Sequence, residues 1–159
     1  MSQLSDMKAL LRVAFKAAKQ SYSPYSHFPV GAALVTVKGE VFDGCNVENA
    51  SYGLTICAER VALLKAVSEG KRKFAILAVV GGKGKAVRPC GACLQVLSEF
   101  CGSDFPIILA ALDERKTFEV ILLGDLLPQA FAMKKGAGEK GQGSGVRGHG
   151  SGVRGQDSE

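Results

Sequence analysis

The chain has 159 residues, of which 47% are hydrophobic and 22% charged, and its formal net charge is +5. This composition is typical of one globular domain and excludes a chain that is disordered throughout. The sequence contains no apolar run of about 18 residues and no apolar signal core, so it predicts neither a membrane-spanning helix nor secretion.

Apolar periodicity and turn signals predict four helical segments and five strands. Lys38-Gly39 marks a hairpin, Gly70 ends a helix and Pro89 starts one. In chain order the predicted elements are a helix over 4–20, strands over 30–37 and 41–46, a helix over 56–69, a strand over 74–80, a helix over 89–100, strands over 107–112 and 118–122, and a short helix or turn over 125–131. This order predicts an α/β fold, a three-layer α/β/α sandwich around a five-stranded mixed sheet.

The end of the chain differs in composition from the rest. Residues 134–159 contain nine of the twenty glycines and two copies of the sequence SGVRG. So few apolar side chains cannot offset the entropy lost on folding. We therefore expect a folded domain over residues 1–133 and a Gly-rich flexible tail over 134–159, whose role the sequence does not reveal.

Three cysteines and one glutamate form the most specific pattern in the sequence. Cys57 and Glu59 stand at the start of one predicted helix, and Cys90 and Cys93 stand at the start of the next. Three thiolates suit Zn²⁺ and leave a fourth tetrahedral position open, which is typical of a catalytic site. Helix dipoles favour thiolates at these ends. Zinc with three thiolates carries one negative charge, and we expect Arg60 to offset it beside a ligand sulfur.

The zinc deaminases share this pattern in a three-cysteine form. The chain resembles the small homotetrameric cytidine deaminases of the cytidine/deoxycytidylate deaminase superfamily from about residue 7 to residue 131. The tail departs from the family pattern. The segments that carry the resemblance are 25–33 (YSHFPVGAA), 44–50 (GCNVENA), 55–60 (TICAER), 89–93 (PCGAC) and 126–131 (LLPQAF).

The resemblance implies a hydrolase that acts on the C–N bond of a cyclic amidine. It would convert cytidine and 2′-deoxycytidine to uridine and 2′-deoxyuridine, with release of ammonia, in pyrimidine salvage. Hydroxide supplied by zinc would attack C4, and the Glu59 carboxylate would shuttle protons. Sequence does not decide which of the two nucleosides is preferred.

The resemblance also implies the nucleoside contacts. Asn46 and Glu48 would hydrogen-bond the ribose 3′-hydroxyl, and Phe28 would pack beside the base. Backbone groups near Ala58 and Cys90 would hold the pyrimidine edge. Phe131 would stack on the base from a neighbouring subunit, so that the active sites of a homotetramer are shared. Free thiolate ligands suit a cytoplasmic location.

Several other functions remain open at this point. A blasticidin-type deaminase would keep the cysteines and Glu59 but is expected to lack the Asn46/Glu48 pair. A polynucleotide deaminase would need a basic groove with aromatic platforms, which the mild charge and absence of Trp disfavour. A structural zinc module would need a fourth ligand, and Cys45 is a candidate. A Cys90/Cys93 redox pair would leave Cys57 and Glu59 without a role. The remaining cysteine, Cys101, belongs to no recognisable motif.

Overall fold

The computed structural model describes residues 3–114 and 117–133. The predicted tail, residues 134–159, lies outside the described residues. The elements in chain order are α1 (Gln3–Ala18), β1 (Val30–Thr36), β2 (Val41–Cys45), a 3₁₀ turn (Tyr52–Leu54), α2 (Ala58–Ser68), β3 (Phe74–Gly81), α3 (Gly91–Ser98), β4 (Pro106–Ala110), β5 (Glu119–Leu122) and α4 (Leu123–Leu126).

The five strands form one mixed sheet in the order β2-β1-β3-β4-β5. Only β3 and β4 pair in parallel, and the other three neighbouring pairs are antiparallel. The crossover between the parallel strands contains α3. The sheet therefore brings the start of α3 to the edge where β3 ends.

Apolar side chains of the central strands alternate between two faces of the sheet, as a strand period of two requires. Ala33, Ala78 and Ile108 pack with α1 on one face. Ala32, Leu77 and Ile107 belong to the larger cluster on the other face, which includes residues of α2 and α3. These two cores on opposite faces of one sheet confirm the predicted three-layer α/β/α fold.

Gly31 and Gly44 allow α1 and α2 to approach the sheet closely. A Cβ placed on Gly31 would lie 2.1 Å from the Ala14 carbonyl oxygen of α1. A Cβ on Gly44 would lie 2.5 Å from the Ala62 backbone nitrogen and 2.6 Å from the Ala58 carbonyl oxygen of α2. The short distance between β2 and α2 thus depends on the absence of a side chain at Gly44. This close contact sets the position of the first turn of α2 relative to the sheet.

The predicted helix bounds need correction. The helices predicted from residues 56 and 89 begin at Ala58 and Gly91, because Cys57 and Cys90 have extended backbones and serve as N-caps. The element predicted over 125–131 is a helix of only four residues, Leu123–Leu126. Pro128 follows it, and a residue before proline is disfavoured in the α conformation, so the helix has ended by Leu127.

Among the described residues, no helix has the length and apolar character that crossing a bilayer requires.

We predict that Gly44→Ala lowers the free energy of unfolding by about 1–3 kcal/mol, because the added methyl would force β2 and α2 apart. Urea unfolding would measure the change. Gly53→Ala is the matched control, since a Cβ at Gly53 meets nothing within 4 Å. Equal stability of the two variants would refute this account of the β2–α2 contact.

Candidate metal centre and active site

Three cysteine sulfurs converge where the N-termini of α2 and α3 meet. Cys57 is the N-cap of α2, Cys90 is the N-cap of α3, and Cys93 lies in the first turn of α3. The Cys57 and Cys90 sulfurs are 3.9 Å apart, and the Cys90 and Cys93 sulfurs are 3.5 Å apart. All three lie within 4.8 Å of one another.

The donor set fits zinc in both chemistry and spacing. Tetrahedral zinc with sulfur ligands at about 2.3 Å requires sulfurs separated by about 3.8 Å. The two measured separations lie close to that value. Cys90 is exposed and Cys93 is buried, so the cluster reaches from the interior to the surface. Three protein ligands at such a position leave room for one more ligand from outside.

Arg60 is the cationic partner of the sulfur cluster. Its Nη2 donates to the Cys57 sulfur at 3.8 Å and to the Thr55 carbonyl oxygen at 3.0 Å. The Arg60 Nε is buried and has no hydrogen-bond partner among the described residues. A guanidinium that faces a thiolate from the first turn of the same helix can offset the excess negative charge of a three-thiolate site.

The thiol groups of Cys57 and Cys93 differ in acidity. A hydrogen bond from Cys93, followed by the one from Arg60, lowers the pKa of Cys57 to about 5. The hydrogen bond with Cys57 and burial raise the pKa of Cys93. Zinc binds cysteine as the thiolate, so the lowered pKa of Cys57 favours its role as a ligand.

Glu59 is the buried carboxylate next to this cluster. It is in the first turn of α2, two residues after Cys57, and is only 4% exposed. Burial raises its pKa to about 7, because loss of solvent disfavours the charged form. A carboxyl group in these surroundings can exchange a proton with a neighbour rather than with bulk water.

Asn46 and Glu48 lie on an extended segment between the loop over 21–28 and the start of α2. Val47 forms bridges with Tyr22 on one side and with Ile56 on the other. This places the segment alongside residue 56, directly before Cys57. The two side chains predicted to bind ribose therefore flank a residue that pairs with Ile56, the residue directly before the metal ligand Cys57.

Both side chains are buried and already bonded to the loop over 21–28. The Asn46 Oδ1 accepts from Val30 N at 2.8 Å and from Ser21 Oγ at 2.6 Å, and its Nδ2 donates to the Phe28 carbonyl oxygen at 2.9 Å. The Glu48 carboxylate accepts from the Tyr25 backbone nitrogen at 3.0 Å, from the Ser26 backbone nitrogen at 3.2 Å and from the Ser26 hydroxyl. These bonds hold the loop that carries Phe28.

The two predicted aromatic contacts are at the surface of this single chain. Phe28 is 43% exposed and Phe131 is 71% exposed. Ala58, the first residue of α2, is fully buried. The structure thus assembles the cysteines, Glu59 and Arg60 within one chain, whereas the Phe131 ring is largely exposed on the surface of that chain.

Sequence reasoning assigned no role to Ser21, Ser26 or Gln95, although these residues hold the predicted binding residues in place. Gln95 bonds both backbone groups of Phe131. The Ser and Pro residues over 21–26 are typical of a loop, and nothing in them indicates a bond to a carboxylate more than 20 residues later.

Cys45 and Cys101 lie outside the sulfur cluster. The Cys45 sulfur donates to the Gln20 carbonyl oxygen at 3.3 Å, and burial raises its pKa. Burial raises the pKa of Cys101 to about 12. Among the described residues, the group that could hold a metal contains three sulfurs and not Cys45, which removes the support for a four-cysteine structural site.

Comparison with known proteins identifies the family. A model of the cytidine and deoxycytidylate deaminase zinc-binding region matches residues 4–109, which include all three clustered cysteines. The chain belongs to this family. The fold and the zinc cofactor expected from the resemblance are confirmed.

Individual members of the deaminase family show how far the similarity extends. The cytidine deaminase of Sporosarcina psychrophila is 47% identical over 127 residues, which are 80% of this chain and 92% of that protein. The 1.6 Å crystal structure of cytidine deaminase from Burkholderia pseudomallei matches with a TM-score of 0.74 at 47% identity, covering 82% of this chain and 100% of that one. The blasticidin-S deaminase of Bacillus cereus is 33% identical over 107 residues, 62% of this chain and 76% of that protein.

We predict that Cys90→Ser abolishes stoichiometric zinc binding, whereas Cys45→Ser retains one zinc per chain. Elemental analysis of the folded, desalted proteins would measure zinc content. The two variants make the same chemical change, but the Cys45 sulfur bonds a backbone carbonyl instead of joining the cluster. Equal loss of zinc from both would revive the four-ligand structural site.

Proposed function

We propose that the chain catalyses hydrolytic deamination of cytidine and 2′-deoxycytidine to uridine and 2′-deoxyuridine. The observation that carries the proposal is the convergence of three sulfurs within 4.8 Å beside a buried glutamate in the first turn of α2. The similar proteins named cytidine deaminase support the choice of substrate. The Asn46/Glu48 pair favours a ribosyl substrate over a blasticidin-type one.

Hydrolysis adds the oxygen of water to C4 and breaks the bond between C4 and the amino nitrogen. Zinc, when bound by Cys57, Cys90 and Cys93, supplies hydroxide at neutral pH by lowering the pKa of water. Glu59 takes the proton released by water and delivers it to N3. It then moves the hydroxyl proton at C4 to the amino group, so that ammonia leaves and a carbonyl forms.

The position of Glu59 suits both transfers. One carboxylate can act first as base and then as acid if it stays within hydrogen-bond reach of both the water and the ring. Its burial excludes bulk water, which would otherwise exchange the proton. Arg60 acts on the metal site by offsetting thiolate charge at Cys57.

We further propose that Asn46 and Glu48 bind the ribose 3′-hydroxyl with their remaining hydrogen-bonding capacity. An amide nitrogen carries two N–H groups, and the Phe28 carbonyl oxygen takes one of those of Asn46. A carboxylate offers about four lone-pair positions, so Glu48 can accept a further bond beyond those from the loop. Phe28 would pack beside the base, and backbone groups near Ala58 would hold its edge.

The family resemblance also supports proposals about assembly and context. We propose a homotetramer in which Phe131 of one subunit stacks on the pyrimidine bound by another. Exposed apolar side chains around the loop over 21–28 and the 3₁₀ turn suit burial against other copies: Tyr22, Tyr25, Phe28, Tyr52 and Leu54. We place the activity in cytoplasmic pyrimidine salvage and assign it to a catalytic domain over residues 1–133.

We predict that Glu59→Gln lowers kcat on cytidine by about 10²–10⁴-fold while zinc content stays unchanged, because the amide cannot accept the proton of water. The fall in ultraviolet absorbance as cytidine becomes uridine would measure turnover. Glu69→Gln makes the same change at an exposed position that ends α2 and should leave kcat unaltered. A zinc-loaded Glu59→Gln protein with wild-type kcat would contradict the mechanism.

We predict that Glu48→Gln raises KM for cytidine by roughly tenfold, since a hydrogen bond to a charged group is lost. The same substitution should leave KM for 3′-deoxycytidine nearly unchanged, because that substrate lacks the hydroxyl in question. Steady-state kinetics on both substrates would separate ribose binding from loop positioning. An equal rise in KM for both would show that Glu48 acts only by holding the loop.

A further inference from the structure

The Gln95 side chain ties the segment that follows α4, residues 127–133, to α3. The Gln95 Nε2 donates to the Phe131 carbonyl oxygen at 2.8 Å, and the Phe131 backbone nitrogen donates to the Gln95 Oε1 at 3.1 Å. A single planar amide thus satisfies both backbone groups of one residue, as a neighbouring strand would. The segment itself contains no helix or strand.

Gln95 lies on α3, the helix that carries two of the three clustered cysteines. Gln95 lies two residues after Cys93, and α3 is fixed in the core by the buried side chains of Cys93, Leu94 and Leu97. Gln95 itself is half-buried, which restricts its rotamers. The backbone position of residue 131 is therefore set relative to the metal cluster by a rigid element.

The ring of Phe131 receives no comparable support from its own chain. It is 71% exposed, although its backbone is held on both sides. A large aromatic side chain on a fixed backbone loses little entropy when a partner surface covers it, because only two side-chain torsions remain free. This arrangement suits a ring that acts on a molecule outside its own subunit.

We propose that Gln95 is a positioning residue that fixes the backbone at Phe131 and so presents its ring to the nucleoside bound by an adjoining subunit. The inference rests on the proposed role of Phe131 in stacking on the base. Glutamine suits the task because its amide offers a donor and an acceptor in one plane. Glutamate can accept from the Phe131 N–H but places a carboxylate against its carbonyl oxygen, and methionine can make neither bond.

The kinetic test compares Gln95→Met, Gln95→Glu and the control Gln129→Met, all zinc-loaded. Gln129 is an exposed glutamine on the same segment. Loss of two hydrogen bonds should raise KM for cytidine by about tenfold in Gln95→Met, with a smaller rise in Gln95→Glu. The kcat and the zinc content should stay at wild-type values, as should all parameters of the control. A lower kcat or loss of zinc in Gln95→Met would overturn the positioning role.

A second readout does not depend on activity. Hydrogen exchange at the Phe131 amide should accelerate by about tenfold in Gln95→Met and remain unchanged in Gln129→Met, because only the first variant removes the acceptor. Unchanged exchange in both would show that Gln95 does not hold the segment.

Adding Phe131→Ala separates this proposal from the one on which it rests. If Phe131→Ala raises KM and the double variant raises it no further, Gln95 acts through Phe131. If Phe131→Ala raises KM and the two effects multiply, Gln95 does not position the ring, although the stacking role survives. If Phe131→Ala leaves KM unchanged, the stacking role fails and the positioning role fails with it.

Discussion

The structure depends on the meeting of two helix N-termini at one edge of the sheet. Cys57 and Cys90 are the N-caps of α2 and α3, so their sulfurs extend beyond the helix ends and face each other at 3.9 Å. The crossover from β3 to β4 places α3, and the close contact at Gly44 places α2. Because each helix carries at least one of the sulfurs, a displacement of either helix would change the distances between them. The metal site is thus a consequence of backbone packing as much as of the cysteines themselves.

Electrostatics then explain why a negatively charged cluster can exist at a half-buried position. Helix dipoles favour anions at both N-termini, and Arg60 contacts the Cys57 sulfur from the first turn of α2. Glu59 lies on the same turn but is buried, so bulk solvent has little access to its carboxyl group. The first turn of α2 therefore supplies a ligand at its N-cap, a buried carboxyl group and a compensating cation within four consecutive residues.

Sequence patterns predicted the layers of the fold because strand alternation and helix periodicity report burial directly. The Cys57, Glu59, Cys90 and Cys93 spacing predicted the metal centre because each pair lies within one helix start. The sequence patterns placed the starts of α2 and α3 two residues too early, because an N-cap residue does not take part in the helical periodicity. They also could not reveal the bonds of Asn46, Glu48 and Gln95 to other segments. Gln95 and Phe131 are 36 residues apart, and only the folded chain brings them together.

The central claim is that one zinc ion, held by the three clustered sulfurs, is the ion on which deamination depends. Titrating zinc into metal-free protein, while recording both bound zinc and conversion of cytidine to uridine, tests this claim most directly. The account predicts that turnover rises in proportion to bound zinc and stops rising at one zinc per chain. Uridine formation by the zinc-free protein, or no uridine from protein that holds one zinc per chain, would contradict it.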